Sequence, residues 1–500
     1  MLRTCLSTLS ASLLVSASFV TVALVTATFV TAGERPNVLF IAVDDLRPEL
    51  GCYGVERAHS PHIDALAKRG LRFDRAYCQQ AVCSPSRTSL LTGMRPDSTR
   101  VYDLETHFRK TIPNVVTLPQ HFKSQGYHAC GMGKIYHGGL DDKESWSEPW
   151  RAPKAQAYGL PENLQLLRKK SAAAKEKGLK GQAASRAARG PAYESSAVAD
   201  NTFHDGALAD MAIEKLDELS QKDQPFFLAV GFIRPHLPFV SPQKYWELYE
   251  RTALTLPDNR YPPRGAPPFA LVNSGELRAY EGIPAKGSVS DDESLALIHG
   301  YLAAVSYMDA QVGRLTAELA RLKLTDNTIV ILWGDHGWKL ADHGEWCKHT
   351  NFEIDTHVPL IISGPGVPAG KASRGLVEFV DIYPSLCELA GLQLPPHLEG
   401  TSFVPLLQQP ERPWKTAAFS QYPRSVSGQQ LMGYSLRTDR YRYTRWVERK
   451  PPNKVVAVEL YDHERDPQEN QNLAGQEKYA ATEQQLQEQW SAGWQGAKPE

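Results

Sequence analysis

The chain has 500 residues, 42% hydrophobic and 22% charged, which excludes wholesale disorder and a multi-span membrane protein and exceeds one ordinary domain of about 100–200 residues. Lys and Arg total 55 against 56 Asp and Glu, a formal net charge of −1, so neither a globally basic nucleic-acid binder nor a long acidic tail is expected. Seven cysteines are too few for a disulfide scaffold and lack the paired spacing of a zinc site.

In chain order, Arg3 precedes an uncharged stretch over residues 4–33, rich in Leu, Val, Ala, Ser and Thr. This predicts a secretory signal over residues 1–32, with small residues Val30-Thr31-Ala32 at the cleavage site. The stretch is near the ~20 residues that cross a bilayer, so an uncleaved anchor is the alternative. Either way the body is exported, to a periplasm or the cell exterior, with no stable membrane partner. Pro36–Val43 (PNVLFIAV) reads as a strand buried on both faces, and so do Phe226–Phe232, Thr328–Trp333 and Val358–Ser363. Helical patterns lie between them, at Ile63–Arg69, Val116–Gln125, Ala207–Leu219 and Ala296–Leu322. Strands alternating with helices predict an α/β fold with a mostly parallel sheet, in which ligands sit beyond the carboxyl ends of the strands.

Residues 151–190 hold ten Lys or Arg against two Glu, which is either a solvated helical insertion or a basic strip for a polyanion. Residues 257–268 are Pro-rich and predict a surface loop. After about Gly400 the alternation stops. Tyr434–Trp446 and Val455–Tyr461 read as paired strands with polar turns, and Gln476–Trp490 as a terminal helix, so residues 401–500 are assigned to a smaller α+β subdomain beside a catalytic domain of residues 33–400.

The sharpest feature is Cys83-Ser84-Pro85-Ser86-Arg87. Pro85 suits a first helical turn and Gly93 suits its end, which places Cys83 at a helix N-terminus, where peptide dipoles favour negative charge. Asp44-Asp45 after the first strand is either a turn or a pair of oxygen ligands for a hard cation such as Ca²⁺, and Asp335-His336 follows the third strand at the same end of the sheet. His is unusual beside Ca²⁺, which leaves open a softer metal, or contact of His336 with the substrate anion. Lys134 and His137 share one turn, His236 lies between prolines in RPHLP, and Lys348 follows Cys347; each offers a donor to an anion.

Cys83-x-Pro85-Ser86-Arg87 followed by Leu91-Thr92-Gly93 resembles the signature of type I, formylglycine-dependent sulfatases, and GKIYHGG, FFLAVGFIRPHLPF and GDHGWKLADHGEWCKHTNF most resemble the iduronate-2-sulfatase branch of that family. The resemblance runs over residues 35–474 and departs at 151–190 and 401–451. It implies an alkaline-phosphatase-like mixed, mostly parallel sheet between helices. It implies that Cys83 becomes Cα-formylglycine (3-oxoalanine) through a separate maturation enzyme, and that Asp44, Asp45, residue 83, Asp335 and His336 surround one Ca²⁺. Arg87 would activate the residue 83 hydrate, Lys134 and Lys348 would hold the sulfuryl oxygens, with Lys348 also on the leaving-group oxygen, His236 would protonate the leaving alcohol, and His137 would act as base in releasing sulfate. The implied substrate is a sulfated saccharide such as a uronate 2-O-sulfate. A formylglycine-dependent phosphodiesterase or phosphonate monoester hydrolase is the alternative.

Overall fold

The computed structural model describes residues 35–499; the expected signal over residues 1–32 lies outside the described residues. The first strand, β1 (Asn37–Val43), leads to α1 (Pro61–Arg69), β2 (Leu71–Tyr77) and α2 (Cys83–Thr92). Then come α3 (Leu118–Ser124), β3 (His128–Gly133), α4 (Pro161–Glu176), α5 (Gly181–Ala187), α6 (His204–Ser220) and β4 (Phe226–Phe232). The long α7 (Asp291–Arg321), β5 (Thr328–Gly334), β6 (His357–Ser363), β7 (Lys371–Ser373), β8 (Val377–Glu378) and α8 (Ile382–Leu389) complete this part.

One eight-stranded sheet runs in the order β7-β2-β6-β5-β1-β4-β3, with β8 also on β2. Only β6 is reversed, antiparallel to both β2 and β5. This is the mixed, mostly parallel sheet expected. Leu39, Ile41 and Val43 of β1 enter a core shared with α1, α6 and α7, whereas Val38, Phe40 and Ala42 enter one shared with α2, α3 and α8. Two buried faces explain why these strands read as unbroken apolar runs. The structure starts α7 five residues before the apolar pattern: Ser290 caps it by accepting from the Glu293 N–H at 3.3 Å, and three acids fill its first turn.

A second, four-stranded antiparallel sheet follows: β9 (Ala418–Val426), β10 (Gln429–Arg437), β11 (Tyr441–Glu448) and β12 (Val455–Asp462), with α9 (Ala480–Gly496) after it. The Tyr434–Trp446 run is thus the end of one strand, a turn and most of the next. Arg35–Glu500 forms one compact unit. Among the described residues, no helix is long and apolar enough to cross a membrane and no cysteine is paired in a disulfide.

Glu353 ties the two sheets together, accepting from Tyr77 Oη (2.8 Å), Arg437 Nε (2.9 Å) and Arg442 Nη2 (2.5 Å). Burial pushes this carboxyl up, but Arg437 and Arg442 outweigh it and hold it well below the usual range. A folded pKa below the unfolded value of about 4.3 contributes stability above that value and loses it as pH falls. Urea denaturation of the wild type is therefore expected to show lower stability at about pH 3 than at about pH 5, and Glu353→Gln, which breaks a buried pair at a cost of about 3 kcal/mol, should flatten that dependence. Parallel pH profiles for the two proteins would refute the assignment.

Candidate active site

The carboxyl ends of four parallel strands lie level: Val43 pairs with Gly334 and Phe232, and Gly133 with Gly231. The chain leaves them as Asp44-Asp45, Asp335-His336, Ile233-Arg234 and Lys134, so groups distant in sequence converge because of topology. Asp45 has φ 59°, a left-handed turn that brings two adjacent carboxylates into one cluster, which an extended strand would not. Gly231 is required where β4 passes β3: a Cβ there would fall 2.3 Å from the Lys134 backbone.

Cys83 is the first residue of α2, whose residues are all buried, and Gly93 ends that helix at φ 67°. The Cys83 Sγ lies 3.5 Å from Asp44 Oδ1, 3.4 Å from His336 Nε2 and 3.6 Å from Lys134 Nζ. Burial, with Asp44 beside it, pushes the thiol well above its usual pKa, so as a thiol it is a poor nucleophile. Arg87, one helical turn on and fully buried, donates to Asp335 Oδ2 (2.9 Å), Asp44 Oδ1 (3.2 Å) and the Ile135 carbonyl (3.1 Å). It bridges two carboxylates and reaches residue 83 through Asp44.

Lys134 Nζ donates to Asp44 Oδ2, and Lys348 Nζ to Asp45 Oδ1 (2.9 Å) while lying 2.9 Å from Glu276 Oε2. Burial lowers both ammonium pKa values, but the carboxylates dominate and raise them. For Asp44, burial is likewise outweighed by Lys134, His236 and Arg87, and its pKa is held well down. His137 faces the same cleft with its Nδ1 buried and unpartnered; burial and then Lys134 pull its pKa to about 3, so it is neutral at physiological pH. The His236 loop is set by Asp205, which accepts from the Ile233 N–H (3.0 Å) and the Arg234 N–H (2.7 Å). His236 Nε2 lies 3.0 Å from Glu276 Oε1 and 3.8 Å from Asp45 Oδ2.

The donor set fits a cation. Asp44, Asp45, Cys83 and His336 each offer one ligand atom within 4.8 Å of the others, all buried. His336 Nδ1 faces the Gly337 carbonyl at 3.0 Å, which can only accept, so Nδ1 is the donor there and Nε2 is the ring atom turned toward the cluster. Asp335 stands at its edge, accepting from the Asp45 N–H at 3.0 Å and lying 3.5 Å from His336 Nε2. In formal charge, four acids (Asp44, Asp45, Asp335 and Glu276) face Arg87, Lys134 and Lys348.

The cluster forms the floor of a cleft of about 1380 Å³. Three of its walls were not read from the sequence. Glu276 sits in an irregular loop with no motif around it. His349 directly follows Lys348, inside the GDHGWKLADHGEWCKHTNF segment. Tyr422 and Arg424 come from β9, whose polar sequence gives no strand signal; Tyr422 Oη lies 2.7 Å from His349 Nδ1. Burial pulls the His349 pKa to about 4. The basic insertion forms another wall, through Gln182, Ser185, Arg186 and Arg189.

The sulfatase family profile matches residues 36–392, and the profile for the C-terminal part of N-sulphoglucosamine sulphohydrolase matches residues 341–494. Iduronate 2-sulfatase of Homo sapiens is 36% identical, over 87% of this chain and 90% of its own. A solved 2-O GAG sulfatase superposes with a TM-score of 0.69 at 24% identity, covering 92% of each chain. The phosphonate monoester hydrolase of Agrobacterium radiobacter superposes with a TM-score of 0.70 at 25% identity, covering 92% of this chain and 95% of its own.

Proposed function

Because the chain belongs to the sulfatase family of sulfuric ester hydrolases, we propose that it is an exported enzyme removing sulfate from a uronate 2-O-sulfate, or a similar sulfated sugar, of an oligo- or polysaccharide. The reading includes conversion of Cys83 to Cα-formylglycine by a separate maturation enzyme and one Ca²⁺ held by Asp44, Asp45, Asp335, His336 and residue 83. The observation that carries it is residue 83 at the N-terminus of a buried helix, 3.6 Å from Lys134 Nζ and against Asp44 and His336, on the floor of an open cleft.

Once converted, residue 83 supplies two hydroxyls on one carbon, one to take the sulfuryl group and one to release it, and a calcium ion supplies positive charge for the sulfuryl oxygens. The chain's own groups do the rest. Lys134 and Lys348 bracket the floor and offer ammonium donors to the sulfuryl oxygens. His236 stands at the mouth, where its Nε2 can pass a proton to the departing sugar oxygen. His137, neutral, can take the proton given up when sulfate leaves. Arg87 fixes Asp44 and Asp335 in place. The human relative's activity as an iduronate 2-sulfatase supports the uronate sulfate, and the match over most of both chains supports carrying it over.

Two measurements test this. Mass spectrometry of the peptide containing residue 83 should find aldehyde in place of thiol. Protein so modified should hydrolyse a uronate 2-sulfate disaccharide and an aryl sulfate far faster than an aryl phosphate diester or a phosphonate monoester. Faster turnover of the phosphorus esters would transfer the assignment to the hydrolase class of the Agrobacterium neighbour.

A further inference from the structure

The basic insertion and Glu276 remain outside that account, and the structure joins them. Glu276 puts one carboxylate oxygen 3.0 Å from His236 Nε2 and the other 2.9 Å from Lys348 Nζ. It thus touches both groups assigned to the leaving-group side of the site. Its own place is set from the insertion. Arg189 donates to the Glu276 carbonyl and lies over the Tyr280 ring at 4.6 Å. Arg186 donates to the Gly275 carbonyl at 3.0 Å. Lys170 pairs with Glu281 and donates to the Arg189 carbonyl at 2.9 Å, and the Glu281 N–H closes onto the Gly190 carbonyl at 2.9 Å. Basic side chains of the insertion therefore converge on a single seven-residue loop, 275–281.

We propose that residues 151–190 are a strap that fixes this loop, and that Glu276 is a positioning residue orienting His236 and Lys348 toward the leaving oxygen. The loop has little secondary structure of its own, so a carboxylate on it would otherwise wander. Guanidinium-to-carbonyl bonds on two successive residues pin its backbone, as Arg's rigid fork allows. A half-ångström error at a proton donor is enough to matter, because transfer requires hydrogen-bond reach to the accepting oxygen. Direct capture of polymeric anions by the same basic residues is the competing use, and it would show as salt-sensitive binding.

The proposal rests on the reading of His236 as leaving-group acid, so the test separates the two. Rates are measured on the modified full-length protein with a uronate 2-sulfate disaccharide, whose alkoxide leaving group needs a proton, and with 4-nitrophenyl sulfate, whose leaving group does not. Glu276→Ala is expected to lose about 100-fold in kcat on the sugar sulfate and less than about threefold on the aryl sulfate, at the low end of general-acid contributions. Glu276→Gln, which still accepts a hydrogen bond, should recover part of that loss. Arg189→Ala should show the same selectivity in smaller degree, with Arg189→Lys partly restoring it. The ratio of the two rates does not depend on the fraction folded. Equal losses on both substrates in the Glu276 variants overturn the positioning role. A loss in Arg189→Ala confined to kcat/KM on a sulfated polymer at low ionic strength overturns the strap. His236→Ala without the leaving-group selectivity overturns the underlying assignment of His236 instead.

Discussion

Cys83→Ala is expected to abolish turnover, and Cys83→Ser to stop after one event per molecule with the sulfuryl group still on the protein. The reason is chemical. Residue 83 is the reactive group nearest the anion donors, 3.6 Å from Lys134 Nζ, and alanine leaves nothing there to accept the sulfuryl group. Losing a covalent nucleophile costs about 10⁴–10⁶-fold in kcat. Serine restores one hydroxyl in the same place but has no second one with which to expel sulfate. The unconverted cysteine fares no better, because burial beside Asp44 keeps its thiol protonated. Sulfate release by ion chromatography measures the first claim. Intact-mass analysis after incubation with an aryl sulfate measures the second, as one added sulfuryl group in Cys83→Ser and none in Cys83→Ala. Sulfate release at the wild-type rate by Cys83→Ala would sink the assignment of this residue.

The apolar runs located the central strands almost to the residue. Phe226–Phe232 has the same bounds in sequence and structure, and Thr328–Trp333 gains only Gly334. A strand buried on both faces advertises itself whichever way it runs, which is why β6 was found but its reversed direction was not. The strand AFSQYPRSV (β9) was missed because it is largely polar and partly exposed, and its pairing partner rather than its own pattern makes it a strand. The site divides in the same way. Groups that leave the ends of apolar strands, Asp44, Asp45, Asp335 and His336, were legible because strand ends are where α/β proteins place ligands, whereas Lys134 follows HACGMG, which gives no strand signal, and was reached through its spacing from His137 and the family resemblance. Glu276 comes from a loop whose position is fixed by residues some ninety positions earlier, such as Arg189 and Arg186, and no local pattern carries that information. The insertion itself was seen as basic, but charge counting cannot single out Lys170, Arg186 and Arg189, which bond carbonyls, from the exposed cations around them.

Asp44→Asn should remove activity, metal binding and part of the stability together, and the charge balance explains why these cannot be separated at this residue. Asp44 is the carboxylate paired with Lys134 and also accepts from Arg87, in a cluster where four acids face three bases. A divalent cation added to these groups leaves an excess of about one positive charge, which suits a singly charged anionic ester. The amide keeps the shape but leaves one buried cation uncompensated, a cost of about 3–5 kcal/mol. Thermal melts of protein first treated with EGTA make this measurable. Calcium at about 100 times its Kd should stabilise the wild type by about 2.7 kcal/mol and raise its Tm, because ligand binds only the folded state. The variant should melt lower and gain nothing from calcium. Asp44→Asn combined with Lys134→Met removes the stranded charge, so it should recover Tm while activity stays lost by about 10³-fold or more, since the donor to the sulfuryl oxygens is gone as well. A calcium-dependent Tm shift surviving in Asp44→Asn would show that this carboxylate is not a ligand. No shift in the wild type would remove the metal from the reading altogether and leave the floor's positive charge toward the ester to Lys134 and Lys348.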